Sequence, residues 1–158
     1  MKARNGFTLV EILIVVVILG ILAAIVIPQF TEASNEARLS SLVSDLQTTR
    51  SQIELYKIQH TDALPGAFSG TVTPAMALTM YSNAAGDTTV EQKPDVGIFG
   101  PYLQKIPTNP FASLPANANV IGEVTDNPAL GTSNGDPGWF FNTDTGAFGA
   151  NSNGHEEL

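Results

Sequence analysis

From Phe7 to Ile27 the chain reads FTLVEILIVVVILGILAAIVI, an apolar run in which Thr8 and Glu11 are the only polar side chains. As a helix rising about 1.5 Å per residue, this run covers roughly 30 Å, the thickness of a bilayer's hydrocarbon core. It predicts a membrane span. The residues before it, Met1-Lys2-Ala3-Arg4-Asn5-Gly6, carry two cations and no anion. The positive-inside tendency therefore holds the N-terminus in the cytoplasm and sends the rest outward. A secretory signal peptide has a shorter apolar core that ends at a small-residue cleavage site, and no Ala-x-Ala follows this run. A plain signal anchor is the simpler alternative, but Glu11 argues against it: a carboxylate near the start of a spanning helix is costly in lipid and calls for a partner.

A cut after Gly6 would create one. The new α-amino group on Phe7 would lie about one helical turn from Glu11, or could meet the Glu11 of a neighbour in a stack of subunits, and the two charges would neutralise each other. The residues Gly6-Phe7-Thr8-Leu9-Val10-Glu11 resemble the cleavage and N-methylation signature of type IV pilins and type II secretion pseudopilins. The resemblance implies that a prepilin peptidase cuts after Gly6 on the cytoplasmic side and methylates Phe7, with Glu11 serving assembly. It also implies the partners: further copies in a helical filament, an inner-membrane assembly platform, and other minor pilins or pseudopilins. The expected location is the inner membrane, with the body outside the cytoplasm, and then a periplasmic or extracellular filament.

The likeness continues through Gly20 and Pro28, placed where the family's helix carries helix-weakening residues, and through Ala33 and Ala37. Proline removes a backbone donor and clashes with the carbonyl four residues back, and glycine loosens a helix interior, so this stretch can kink or partly melt. Both residues are also common in ordinary membrane helices.

Beyond Pro28 no Gly or Pro interrupts the chain before Pro65, which predicts helix to about His60. Leu39, Leu42, Leu46, Thr49, Ile53, Tyr56 and His60 recur at spacings of three and four and draw one stripe along one face. The heptad run is short for a coiled coil, so the stripe is expected to pack on the chain's own sheet. The opposite side, with Ser41, Asp45, Gln52 and other polar residues, is expected to face solvent or neighbours.

Past Thr61, Pro and Gly appear every few residues. Thr73-Pro74 starts a second, short helix over Ala75 to Tyr81 that ends near Asn83, and Asn83 to Lys93 reads as a loop. Val120 to Thr125 and Gly138 to Asn142 read as strands, with Gly146 to Ala150 pairing the latter across Thr143-Asp144-Thr145. Trp139 and Phe141 share one face of their strand and Phe140 takes the other. The expected fold is α+β, a pilin fold in which the second half of a long N-terminal helix packs against a small antiparallel sheet. Its parts are a leader at 1–6, a spanning and filament-core helix at 7–28, the amphipathic continuation at 29–61, and a body at 62–158. The stretch GPYLQKIPTNPF from Gly100 to Phe111 further resembles the segment before the sheet in major pseudopilins.

That subfamily also carries an aspartate-rich calcium loop. Here Asp126, Asn127, Asp136 and Asp144 are scattered oxygen ligands, and side-chain capping in Asn-, Asp- and Gly-rich turns is the plainer expectation. No cysteine is present, which excludes disulfides, thiolate metal sites and thiol nucleophiles. The formal net charge is -8, and loss of Lys2 and Arg4 makes it -10, so nucleic acid is a poor partner for the body. Catalysis finds no support. His60 and His155 lack a nucleophile arrangement, Glu32 and Glu36 read as solvated charges, and Gly131 to Gly135 lacks the lysine of a phosphate loop. The expected function is a structural subunit of a type IV pilin-like filament, a pseudopilin of a type II secretion system, with the major pilin of a surface pilus or a minor adhesive or ligand-binding tip pilin as alternatives. For ligand binding by a tip subunit, the loop from Asn83 to Lys93 and the aromatics Trp139 to Phe141 are the candidate places.

Overall fold

The computed structural model describes residues 8–67, 71–89, 98–112, 114–125, 137–152, 154–155 and 158. Contacts divide the chain into two units, Met1–Arg38 and Leu39–Leu158. One helix, α1 (Leu9–Gln59), runs through both.

In the first unit α1 stands without a core. Leu9 to Ile27 is apolar on every side, and its large side chains are all more than half exposed. A helix hydrophobic all round is stable only when lipid or other helices cover it. In the second unit the expected stripe is buried: Leu42, Leu46, Thr49, Ile53, Tyr56 and His60 are all closed to solvent. Leu39 departs from the expectation and keeps 38% of its surface exposed, because it precedes the segment that the body covers.

The body begins where α1 ends. Thr61 and Asp62 adopt left-handed backbone conformations at φ 54 and 66, and Asp62 N–H donates to Lys57 O at 2.8 Å, closing the helix as a left-handed C-terminal cap does. Helix α2 (Pro74–Thr79) follows, with Thr73 Oγ1 accepting from Met76 N–H. It stops two residues short of the expected Tyr81, because Tyr81–Ser82 is a strand, β1, paired antiparallel with β2 (Thr88–Thr89). The expected loop from Asn83 thus contains a hairpin. Its turn is built by Asn83, whose Oδ1 accepts from the N–H groups of Ala85 and Asp87 and whose Nδ2 donates to Asp87 Oδ2. A 3-10 turn at Pro115–Asn117 leads into the main sheet.

The main sheet has three strands, β3 (Ile121–Val124), β4 (Trp139–Asn142) and β5 (Phe148–Ala150), in that spatial order. The β4–β5 hairpin is antiparallel, as expected, with Phe141 opposite Phe148. The β3–β4 pair is parallel, with Ile121 opposite Trp139. The sheet is therefore mixed rather than antiparallel. The dozen or more residues between Val124 and Trp139 are enough chain to return to the same end of the sheet, which a parallel pair requires and a tight hairpin cannot supply. Trp139, Phe141 and Phe148 join Leu42, Leu46, Ile53 and Leu78 in one core. Trp139 also donates its indole N–H to Pro107 O at 2.8 Å, so the largest ring of the core is satisfied as well as buried. Phe140 points to the other face and lies over Gly149, where its ring occupies the place of a β-carbon.

Gly138 sits where the loop before β4 meets the 3-10 turn. Its N–H donates to Asn117 O, and its carbonyl accepts from Asn109 Nδ2 and from Asn151 N–H. A β-carbon here would press into the Ala118 backbone carbonyl, which no rotamer change relieves. Gly138→Ala is expected to destabilise the protein by about 1–3 kcal/mol, the usual range for overpacking. Urea unfolding of the detergent-solubilised chain checks this.

The end of α1 is sealed by an aromatic cluster. His60 stacks on Tyr56 with ring centroids 3.8 Å apart, and Phe99 and Tyr102 approach its ring. One His60 nitrogen, Nδ1, lies 2.9 Å from Tyr56 O, and the other, Nε2, 3.0 Å from Ser82 Oγ. The Tyr102 hydroxyl donates to Gln59 Oε1 at 2.6 Å. Burial pushes the Tyr56 hydroxyl up to about 12, with Tyr102 adding repulsion between the two phenolates. Burial likewise raises Tyr102 to about 12, partly offset by the Ser82 hydroxyl. Both groups hold their protons more tightly when folded than in the unfolded chain, where tyrosine ionises near pH ~10. The stability they confer is thus complete below pH ~10 and lost as pH rises toward 12. Alkaline titration followed by tyrosinate absorbance and circular dichroism should show the last tyrosines ionising together with unfolding. Tyr56→Phe should remove part of that transition.

Candidate functional site

The sequence-derived candidates gather at the head of α1. Thr8 is the residue before the first helical turn and Glu11 the third residue within it. The Thr8 N–H and the Thr8 hydroxyl both donate to Glu11 Oε2 at 2.8 Å, and Glu11 N–H donates back to Thr8 Oγ1 at 3.3 Å. This is a capping box, in which a hydroxyl residue and an acid three positions on satisfy each other's backbone donors. The carboxylate also sits at the positive end of the helix dipole. Glu11 is thus partly compensated within its own subunit. Its second oxygen, Oε1, has no hydrogen bond among the described residues. Sequence reasoning took Thr8 as one of two polar exceptions and missed this role, although the Thr-x-x-Glu spacing ahead of an apolar run is the signal for it.

Gly6 and Phe7, expected to flank a cleavage point, lie outside the described residues, and so does any Phe7 amine contact with Glu11. Gly20 lies within an unbroken helix, and a β-carbon built on it meets nothing within 4 Å. No contact among the described residues therefore requires a glycine at that position. Pro28 is also accommodated without a break in α1, and the Thr31 hydroxyl donates to Ile27 O at 3.1 Å beside it.

The remaining candidates are dispersed. Asp126, Asn127 and Asp136 lie outside the described residues. Asp144 is exposed in the β4–β5 turn, where its N–H and that of Thr145 donate to Asn142 Oδ1 at 2.9 and 2.7 Å. Among the described residues no group of three or more acidic or histidine side chains could hold a metal. Of the residues considered for ligand binding, Trp139 and Phe141 are buried in the core, and residues 90–93 of the Asn83–Lys93 segment are not described. His155 stacks on Phe111 at 4.1 Å, and Glu32 and Glu36 are exposed along α1. Asp45, half-buried on α1, has its carboxyl raised above the ordinary range by burial, with the Ser41 hydroxyl opposing this in part.

An apolar helix capped by Thr8 and Glu11 and leading into a small α+β body defines an N-terminally anchored, pilin-like subunit. Residues 1–27 match the family model described as a prokaryotic N-terminal methylation motif. Core protein G of the type II secretion system of Pseudomonas aeruginosa is 30% identical over 112 residues, which make up 71% of each chain. The protein of the same name in Klebsiella pneumoniae is 29% identical over 113 residues, 72% of this chain and 73% of the relative. A fimbrial protein of Pseudomonas aeruginosa is 44% identical over 54 residues, 34% of this chain and 35% of its own. No solved structure matches the chain. The chain belongs to the type II secretion system core protein G family, the major pseudopilins.

If the Thr8 hydroxyl holds Glu11, substitutions should rank by hydroxyl rather than by size. Thr8→Ser is expected to behave as the parent chain, whereas Thr8→Val, of nearly the same shape, should lower the amount of assembled protein several-fold. Sedimentation of sheared filaments measures both.

Proposed function

We propose that this chain is the repeating subunit of a type II secretion pseudopilus. It enters the inner membrane through Phe7–Ile27, with Lys2 and Arg4 holding the leader in the cytoplasm. A prepilin peptidase then cuts after Gly6 and methylates Phe7, and an assembly platform draws the subunit into a filament with other pseudopilins. The observation that carries this reading is Glu11. A carboxylate has no place in an otherwise apolar span unless something meets it there, and Thr8 leaves one of its oxygens available. The new Phe7 amine, of this subunit or of a neighbour, is a donor of the right charge, one turn away along the chain. The bare, all-round apolar surface of Leu9 to Ile27 then exchanges lipid for the helices of other copies. In this reading Gly20 and Pro28 act by softening α1 on its way out of the bilayer. The open space around Gly20 is consistent with that role and equally with close approach of another helix.

The body is a structural cover on this reading and performs no reaction, in keeping with relatives named as secretion system core proteins. A surface pilus is the second reading. It is favoured by the likeness to a fimbrial protein, which is higher in identity but extends over only 34% of this chain.

Gly6→Leu should leave the chain at precursor length and abolish filaments, while the parent chain should yield a mature form beginning at a Phe7 that carries one added methyl group. Gel mobility and N-terminal mass measurement decide the point, and mature-length protein from Gly6→Leu would sink the processing step. Glu11→Ala should be cut normally yet assemble at least ten-fold less. Undiminished assembly of that variant would remove the charge-pairing step.

A further inference from the structure

Among the described residues the main sheet has two edges, β3 and β5, and they are protected in different ways. Hydrogen bonds from Asn142 N–H to Ala147 O and from Asn151 N–H to Gly138 O bracket the β4–β5 pair. By the alternation of an antiparallel ladder, Gly149 turns its backbone groups toward β4, while Phe148 and Ala150 turn theirs away. In the parallel pair, Trp139 N–H donates to Val120 O and Thr143 N–H to Val124 O, so Ile121 and Glu123 face outward along β3. Outward N–H and C=O groups are a template for another strand unless something blunts them. On β3 the blunting charge is local, since Glu123 is exposed on the strand itself. The run Ala147-Phe148-Gly149-Ala150-Asn151 has no charge and no proline, two of the devices by which an edge strand keeps other strands off.

The charge at β5 comes instead from α1. Arg50 Nε donates to Phe148 O at 3.0 Å, and its Nη1 donates to Leu158 O at 2.7 Å. One guanidinium therefore occupies an outward carbonyl of β5 and holds Leu158 at the same place. Between these two acceptors the chain turns where His155 N–H donates to Ser152 O, and the His155 ring stacks on Phe111. Phe148 and Ala150 are both closed to solvent. We infer that Arg50 is an edge guard: by holding Phe148 O and Leu158 O it keeps β5 from pairing with the β5 strand of a second copy of the chain.

Charge selects the strand that is kept out. Each copy carries a net charge of -8, so acidic surfaces of two copies repel, whereas two uncharged β5 strands can pair without setting like charges opposite each other. The inference goes beyond the filament reading, which concerns contacts made by α1, and holds whether or not filaments form. Net charge also separates the guard from general repulsion. Arg50→Met keeps an apolar stem and removes the donors. It takes the formal charge from -8 to -9 by loss of one cation, which by itself would push copies further apart.

Sedimentation velocity and amide I infrared spectroscopy of the purified full-length chain in detergent test this. Arg50→Met should keep a cooperative thermal transition yet associate at a concentration roughly ten-fold below that of the parent chain, with the infrared band of intermolecular β-sheet. Arg50→Lys, which keeps a cation at the edge, should sediment as the parent does. Adding Ala147→Lys, at an exposed position beside β5, to Arg50→Met restores the parent's net charge and should return the chain to the parent's size. A folded Arg50→Met that associates no more than the parent would overturn the inference. Association without the intermolecular band, or association undiminished by Ala147→Lys, would overturn it as well. An Arg50→Met chain that does not fold would make Arg50 a structural tie alone and would equally rule out the guard.

Discussion

The seam between the inward stripe of α1 and the aromatic face of the sheet organises everything the body does. Leu42, Leu46, Ile53 and Tyr56 on the helix meet a small sheet whose contribution is concentrated in Trp139, Phe141 and Phe148. A three-stranded sheet with strands of three or four residues is at the lower limit of size for a stable sheet and gains from packing against a helix. It persists because the helix covers one of its faces, and the helix in turn needs that cover because its stripe is apolar. Loops gain their positions from the same seam. Pro107 is held by the indole of Trp139, and the edge at Phe148 is tied to the helix through Arg50.

Much of this was legible in the sequence, for identifiable reasons. The alternation of three and four along α1 is a direct projection of helix geometry, so all but one of the predicted stripe residues are buried. Leu39 fails because periodicity says which side a residue occupies but not how far along the helix its cover extends. The Trp139 to Asn142 strand and its hairpin with β5 were marked by aromatics on alternate sides of a turn-rich break. The parallel pairing of β3 was not marked, since strand direction is set by how the intervening chain returns and leaves no local signature. The β1–β2 hairpin was missed because two-residue strands are too short for period-two patterning, and it is the Asn83 side chain that organises its turn.

The head of α1 shows the reverse case. The Thr-x-x-Glu spacing of Thr8 and Glu11 is a local signal for capping, whereas the cost of a charge in lipid points to a partner outside the helix. Capping and charge compensation are separate requirements, and on the proposed filament reading one carboxylate would meet them with different oxygens. A local partner therefore does not compete with a distant one, and the two accounts of Glu11 are compatible.

The division of labour between those oxygens bears on how a charge could move from lipid into a protein assembly. Were Oε2 and Oε1 both committed to Thr8, any new donor would have to displace an existing bond, and the carboxylate would pass through a moment of exposure in a medium that cannot solvate it. With only Oε2 engaged among the described residues, an arriving donor would be added rather than exchanged. On the proposed filament reading the route would then have no step at which the charge is bare, and the transfer would be governed by encounter with the donor rather than by the breaking of a hydrogen bond.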